Sequence, residues 1–115
     1  MVEVIATDEF ADWYGDLDDA GAEDVGVVVG LLEQLGPALG YPRSSAINGA
    51  PFALRELRIQ SQGRPLRVFY AFDPNRQAVL LIGGDKTGDN RFYQTMVPLA
   101  ERLWKEYLDE TEQVE

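Results

Sequence analysis

The chain of 115 residues contains no cysteine and no histidine. Without cysteine there are no disulfides, no thiolate nucleophiles and no Cys-based metal sites. Without histidine, the commonest general base and the commonest ligand of transition metals are missing as well. No apolar run approaches the roughly 18 residues of a membrane span, and we expect no signal peptide. We therefore expect a soluble, cytoplasmic protein.

Positive charge is missing from the beginning of the chain and scarce at its end. Residues 1–40 hold ten acidic residues and no Lys or Arg, and residues 101–115 hold six acidic and two basic ones. Residues 41–100 hold eight basic residues against four acidic ones, within a net charge of −10. Two interpretations remain open: an acidic surface with ordinary sheet arginines, or a local basic site on a body too acidic for tight non-specific nucleic-acid binding.

Apolar spacing and turn residues predict a single domain over residues 1–115. A strand at 2–6 precedes two helices, the second at about 22–35, where Gly26 and Gly30 have the spacing for close packing against the first. Three strands at about 53–60, 65–73 and 78–84 and a helix at about 92–109 follow, and 110–115 is expected to be a frayed tail. The prediction is an α+β fold with the order β-α-α-β-β-β-α.

The first two strands of the middle segment are predicted to form a hairpin, because Gly63 lies where a tight turn often needs a positive φ. Side-chain alternation then gives a register with three facing pairs: Ile59 with Leu66, Arg58 with Arg67, and Leu57 with Val68. Two arginines that face each other destabilise a sheet. The register therefore predicts that something anionic belongs between Arg58 and Arg67.

Three motifs follow one another along the strands: LRELR at 54–58, RVFY at 67–70 and GGDKTGD at 83–89. In this order and spacing they resemble the HigB branch of the RelE/ParE toxin superfamily, whose members are often described as phage-derived Gp49-like proteins. The resemblance covers nearly the whole chain. It implies a small, twisted, mainly antiparallel sheet packed against two N-terminal helices, with a C-terminal helix.

The resemblance also implies an activity. RelE-like members are toxins of type II toxin–antitoxin systems that cleave mRNA on the ribosome through attack of the 2′-hydroxyl, and a cognate helix-turn-helix antitoxin neutralises them. It implies no metal and no other cofactor. Two alternatives stay open: a non-enzymatic ParE-like toxin that binds DNA gyrase, which the acidic body favours, and a degenerate toxin that only binds its antitoxin.

By this resemblance, four residues would be catalytic: Arg58, Arg67, Lys86 and Tyr93. Arg58 and Arg67 would clamp the scissile phosphate, since guanidinium groups bind phosphate in a bidentate manner. Lys86 would act as general base or stabilise charge, and Tyr93 would orient or stack on a base. Three further arginines would contact the backbone of the RNA or the ribosome: Arg55, Arg64 and Arg91.

Each of these roles also has a purely structural interpretation. Glu56 lies diagonal to Arg67 in the predicted register, so an ion pair between them would account for that arginine. Asp85 would neutralise Lys86 in the same way, and Tyr93 would be an ordinary core aromatic. Glu56 is also the main departure from the resemblance, because many RelE-like nucleases are basic at that position.

Overall fold

In the computed structural model, which describes residues 1–113, five strands and three α-helices form the fold. In chain order they are β1 (Val4–Ala6), α1 (Asp8–Gly15), α2 (Asp19–Leu35), β2 (Ser44–Ala46), β3 (Arg55–Ser61), β4 (Arg64–Phe72), β5 (Ala78–Asp85) and α3 (Phe92–Gln113). The strands form one sheet with the order β1-β5-β4-β3-β2, in which β1 is parallel to β5 and the other neighbours are antiparallel. The predicted α+β fold with a mainly antiparallel sheet is confirmed.

Two elements differ from the prediction. β2 lies between the second predicted helix and the first strand of the predicted hairpin, where the sequence predicts no strand, and it pairs with the start of β3. α3 continues to Gln113, so residues 110–113 of the expected frayed tail are helical, and 114 and 115 lie outside the described residues. Within residues 1–113, no helix is long and apolar enough to cross a membrane.

Side-chain caps fix the starts of the first two helices. The hydroxyl of Thr7 accepts a hydrogen bond from the Phe10 amide at 3.0 Å and donates to the Leu81 carbonyl at 2.7 Å, which ties α1 to β5. The carboxylate of Asp18 accepts from the Gly21 amide at 2.9 Å at the start of α2. Capping of this kind satisfies amides that have no partner within the helix.

Helices cover both faces of the sheet. α1 and α2 pack on one face, over a core that includes Phe10, Val25, Val28, Leu32, Leu57, Leu66 and Val68. α3 packs on the other face, over a core that includes Phe69, Val79, Leu81, Phe92, Ala100 and Leu103. Successive side chains of β3 and β4 alternate between these two cores. Whether a strand residue packs against α1 and α2 or against α3 therefore depends on whether its position is odd or even.

Gly83 and Gly84 in β5 allow a helix to approach the sheet from each side. A Cβ at Gly83 would lie 2.2 Å from the ring of Trp13 on α1, and a Cβ at Gly84 would lie 2.8 Å from the ring of Phe92 on α3. Both distances are shorter than any side chain tolerates, so the glycine pair is a packing requirement of this fold.

Gly26 and Gly30 of α2 have no such role. A Cβ at Gly30 would meet nothing within 4 Å, and one at Gly26 would meet only the Tyr14 hydroxyl at 3.7 Å. The expected close packing of these glycines against the first helix is therefore wrong. The reason is that α2 turns the stripe of Val25, Val28 and Leu32 toward the sheet, which leaves Gly26 exposed and Gly30 with open space beside it.

Candidate functional site

Charged side chains gather on the α3 face of the sheet, beside the first turn of α3. The predicted register of the β3–β4 hairpin is confirmed, so Arg58 and Arg67 face each other. Together with three neighbours they form what we call the charged cluster: Glu56 and Arg58 from β3, Arg67 from β4, Lys86 just after β5 and Tyr93 from α3. The structure thus brings together all four residues to which the resemblance assigned catalysis.

Glu56 is the centre of the charged cluster and is only 4% exposed. Its carboxylate accepts hydrogen bonds from the Tyr93 hydroxyl at 2.7 Å and from the Ser45 hydroxyl of β2 at 2.9 Å. It also pairs with Arg58 Nη1 at 3.2 Å and with Arg67 Nε at 3.5 Å. The anionic group predicted between the two arginines is therefore present in the chain itself.

The two arginines differ in exposure. Arg67 is 5% exposed, and it donates from Nη1 to the Leu66 carbonyl at 3.0 Å and from Nε to the Tyr93 hydroxyl at 3.4 Å. The Arg58 side chain is 32% exposed, and its guanidinium carbon lies 5.7 Å from the centroid of the Tyr41 ring. Arg67 is thus fixed in place, while Arg58 forms part of the surface.

Lys86 and Tyr93 contact each other at the opposite edge of the charged cluster. Lys86 Nζ lies 5.3 Å from the centroid of the Tyr93 ring, within the range of a cation–π interaction. Burial raises the pKa of the Tyr93 hydroxyl, and the hydrogen bond to Glu56 raises it further, which outweighs the opposing effect of Arg67. Tyr93 is therefore a neutral hydrogen-bond donor at neutral pH.

The suggested neutralisation of Lys86 by Asp85 does not occur within residues 1–113, where Lys86 has no ion pair. Asp85 instead accepts from the Thr87 hydroxyl at 2.6 Å and from the Thr87 amide at 2.9 Å. These hydrogen bonds lower the pKa of Asp85. Lys86 therefore joins the charged cluster through the Tyr93 ring and not through an ion pair.

The three arginines expected to contact an RNA backbone lie elsewhere. The side chain of Arg55 lies on the α2 face of the sheet, like that of Leu57 two residues further along β3. Its Nε donates to Ser44 Oγ at 3.2 Å and to the Tyr70 hydroxyl at 3.3 Å. Arg64 forms an ion pair with Asp18 at 2.9 Å, and this pairing lowers the pKa of Asp18. Arg91 is exposed in the turn before α3. None of these three joins the charged cluster.

Sequence reasoning missed two parts of this region. It considered Glu56 only as a partner of Arg67, whereas the carboxylate also contacts Arg58, Ser45 and Tyr93. It gave no role to the turn that carries Tyr41, because a short stretch of turn residues has no periodicity to interpret. The diagonal position of Glu56 in the hairpin was the one signal available.

Comparison with known proteins identifies the family of the chain. The model of the family described as phage-derived protein Gp49-like matches residues 12–105. HigB3 of Mycobacterium tuberculosis (strain ATCC 25618 / H37Rv), named as a candidate toxin, is 36% identical over 107 residues, which cover 91% of this chain and 92% of HigB3. HigB2 of the same strain, also named as a candidate toxin, is 37% identical over 103 residues, which cover 87% of this chain and 51% of HigB2. The chain therefore belongs to the phage-derived Gp49-like family, in the HigB branch that its motifs indicated.

Proposed function

We propose that this chain is the toxin of a type II toxin–antitoxin system and that it cleaves mRNA on the ribosome. The names of HigB3 and HigB2 support the first part. The observation that supports the second part is the charged cluster, in which Arg58, Arg67 and Tyr93 contact Glu56 and Lys86 contacts the Tyr93 ring. These side-chain types can bind a phosphodiester and transfer protons in a chain that has no histidine.

The two arginines would bind the scissile phosphate. Arg58 uses Nη1 for Glu56, and Arg67 uses Nε and Nη1 within the protein. Among residues 1–113, Nη2 of neither guanidinium group has a hydrogen-bond partner, so both remain able to donate to phosphate oxygens. As charge develops on the pentavalent phosphate, these groups and Lys86 would stabilise it without a metal or another cofactor.

Glu56 would accept the proton of the attacking 2′-hydroxyl. The 2′ oxygen forms a bond to phosphorus, the bond to the 5′ oxygen breaks, and the products are a 2′,3′-cyclic phosphate and a 5′-hydroxyl. Lys86 would donate the proton that the leaving oxygen takes up, and Tyr93 would hold Glu56 in place through its 2.7 Å hydrogen bond. In this scheme Lys86 stabilises charge and acts as an acid, rather than as the general base that was the other role expected for it.

The proposal is tested by expression in cells that lack the helix-turn-helix antitoxin, which we propose as the partner, followed by mapping of mRNA 5′ ends. We expect discrete new ends inside translated frames. Lys86→Met should remove them without unfolding the chain, because Lys86 has no ion pair among the described residues. Arg102→Ala, at an exposed position further along α3, is the matched control and should cut like the unmodified chain.

Glu56→Gln tests Glu56 as the base. The amide has nearly the same shape and keeps one of the two acceptor oxygens, but its NH2 group only donates and it cannot take up a proton at neutral pH. We expect cleavage to fall by about 10²–10⁴-fold, the usual contribution of a general acid or base. Cleavage by this variant at the rate of the unmodified chain would exclude Glu56 as the base.

The acidic body favours one alternative. A net charge of −10 disfavours association with ribosomal RNA, which is a polyanion. A ParE-like toxin that binds DNA gyrase would not meet this obstacle. Growth arrest with intact mRNA would support that alternative, and no effect on growth would support a toxin that only binds its antitoxin.

A further inference from the structure

We propose that a cleft beside the charged cluster binds one nucleotide of the RNA, with its base stacked on Tyr41 and its phosphate held by Arg43 and Arg58. The cleft lies between the turn at 41–43 and the outer part of β3, and we call it the Tyr41 cleft. This inference rests on the proposed function, since it assigns a binding site for the neighbouring part of the same substrate. Neither Tyr41 nor Arg43 is among the residues that the sequence predicts to contact RNA.

The lining of the Tyr41 cleft has the composition of a nucleotide site. The cavity has a volume of about 280 Å³, and Tyr41, Arg43, Arg58, Gln60 and Arg67 are among the residues that line it. No carboxylate is among its lining residues, whereas Glu56 lines a separate cavity on the side of Tyr93. The Tyr41 cleft therefore combines three guanidinium groups with one aromatic ring in a chain that is otherwise acidic.

Tyr41 is placed as a stacking platform. It is 79% exposed, which is high for a large aromatic side chain, and the guanidinium group of Arg58 lies 5.7 Å from its ring centroid. Exposed aromatic rings beside cationic groups are how proteins hold single-stranded nucleic acid, because every base has a face that can stack. Its exposure leaves most of the ring free for a base.

The turn that carries Tyr41 is fixed to the charged cluster. The amides of Arg43 and Ser44 both donate to the Gly40 carbonyl, at 3.1 and 3.0 Å, and the Arg58 amide donates to the Arg43 carbonyl at 2.8 Å. Arg43 is therefore tied by its backbone to the residue that would also bind the scissile phosphate. A preformed turn costs little further ordering when a ligand binds.

The cleft and the charged cluster share Arg58 and Arg67. A phosphate on these two arginines would thus have a neighbouring nucleotide directed into the Tyr41 cleft. An acidic protein segment would also satisfy the arginines, but it would make no use of an exposed ring suited to stacking. The ring and the shared arginines together favour a nucleotide.

The test is binding of a fluorescent single-stranded RNA heptanucleotide with 2′-O-methyl groups, which the proposed reaction cannot cleave, to the purified chain. We expect Tyr41→Ala to raise Kd by about tenfold, within the range of base–aromatic stacking, and Tyr41→Phe to stay within about twofold. Arg43→Ala should raise Kd. It should also reduce the dependence of log Kd on log salt concentration by about the amount expected for one lost phosphate contact. Arg102→Ala is the control and should leave Kd unchanged, and melting temperatures confirm that each variant is folded.

Two results would overturn the inference: an unchanged Kd for Tyr41→Ala, or no binding of the RNA by the unmodified chain. If a polyglutamate peptide displaces the RNA and its own binding also depends on Tyr41, the cleft is a site for an acidic protein segment instead. Failure of the Tyr41 cleft and failure of the proposed function give different results. If cells show no mRNA cuts while RNA binding depends on Tyr41, the nuclease proposal fails and the Tyr41 cleft stands. If Tyr41→Ala binds RNA and cuts mRNA like the unmodified chain, only the cleft fails.

Discussion

The buried pair of Glu56 and Arg67 permits a quantitative test of the charged cluster, since their side chains are only 5% and 6% exposed. Replacing Arg67 by Met removes one cation and leaves the carboxylate to Arg58, Ser45 and Tyr93. Breaking a buried ion pair costs roughly 3–5 kcal/mol when one charge is left without compensation. Because Glu56 keeps its other donors, we expect Arg67→Met to lower the free energy of unfolding by about 2–3 kcal/mol.

Glu56→Gln perturbs the pair from the other side. It leaves Arg67 buried and facing Arg58 with no carboxylate between them, and we expect a loss of about 2 kcal/mol. The double variant removes both charges, and replacing a whole buried pair by neutral residues is often close to neutral. The double variant should therefore lose less than the two single losses combined, with a coupling of about 1.5 kcal/mol or more.

Urea unfolding followed by tryptophan fluorescence measures these four free energies, provided that the m-values agree. The control cycle uses the exposed pair of Glu101 and Lys105, which lie one turn from each other on α3. Their charged groups are 3.0 Å apart, and we expect a coupling of only about 0.3–0.5 kcal/mol. If the Glu56 and Arg67 losses add to within about 0.5 kcal/mol, the two charges do not depend on each other and our account of the charged cluster is wrong.

Three further predictions concern packing and pH. Gly83→Ala should lower the free energy of unfolding by about 1–3 kcal/mol or more, measured by urea unfolding, because its Cβ would lie 2.2 Å from the ring of Trp13. Gly30→Ala should instead raise it by about 0.5–1 kcal/mol, because the new Cβ meets nothing within 4 Å and Ala favours the helix. Burial, with help from the hydrogen bond to Asp73, raises the pKa of Tyr107 to about 12, so its contribution to stability should be complete below pH 10 and be lost as the pH rises toward 12. Tyr107→Phe should flatten that part of the pH profile of the melting temperature, and an unchanged profile would contradict the assignment.

Local rules predicted the hairpin well. Alternation along β3 and β4, together with a turn at Gly63, was enough to set Arg58 opposite Arg67, because a register that differs by one residue would expose the apolar face. The same alternation, had it been applied to Arg55, would have placed that side chain on the α2 face. The prediction that every arginine of the strands contacts RNA overlooked that these side chains lie on two different faces of the sheet.

Tertiary contacts decided what local rules missed. β2 has the sequence Ser-Ser-Ala, which has no apolar alternation, and it is a strand only because the edge of β3 pairs with it. Through β2 the hydroxyl of Ser45 reaches Glu56, and through α3 the hydroxyl of Tyr93 reaches the same carboxylate. Neither contact follows from sequence spacing, so the central position of Glu56 could not be predicted.

The charge distribution explains why the proposed site needs more than charge to hold RNA. Of the eight basic residues at 41–100, Arg58 and Arg67 share Glu56, and Arg64 pairs with Asp18. Attraction to a polyanion grows with the number of phosphates that a protein neutralises, and the acidic residues at both ends oppose it. In the proposed site, stacking on Tyr41 would not depend on net charge, so it would supply affinity at short range where long-range attraction is weak.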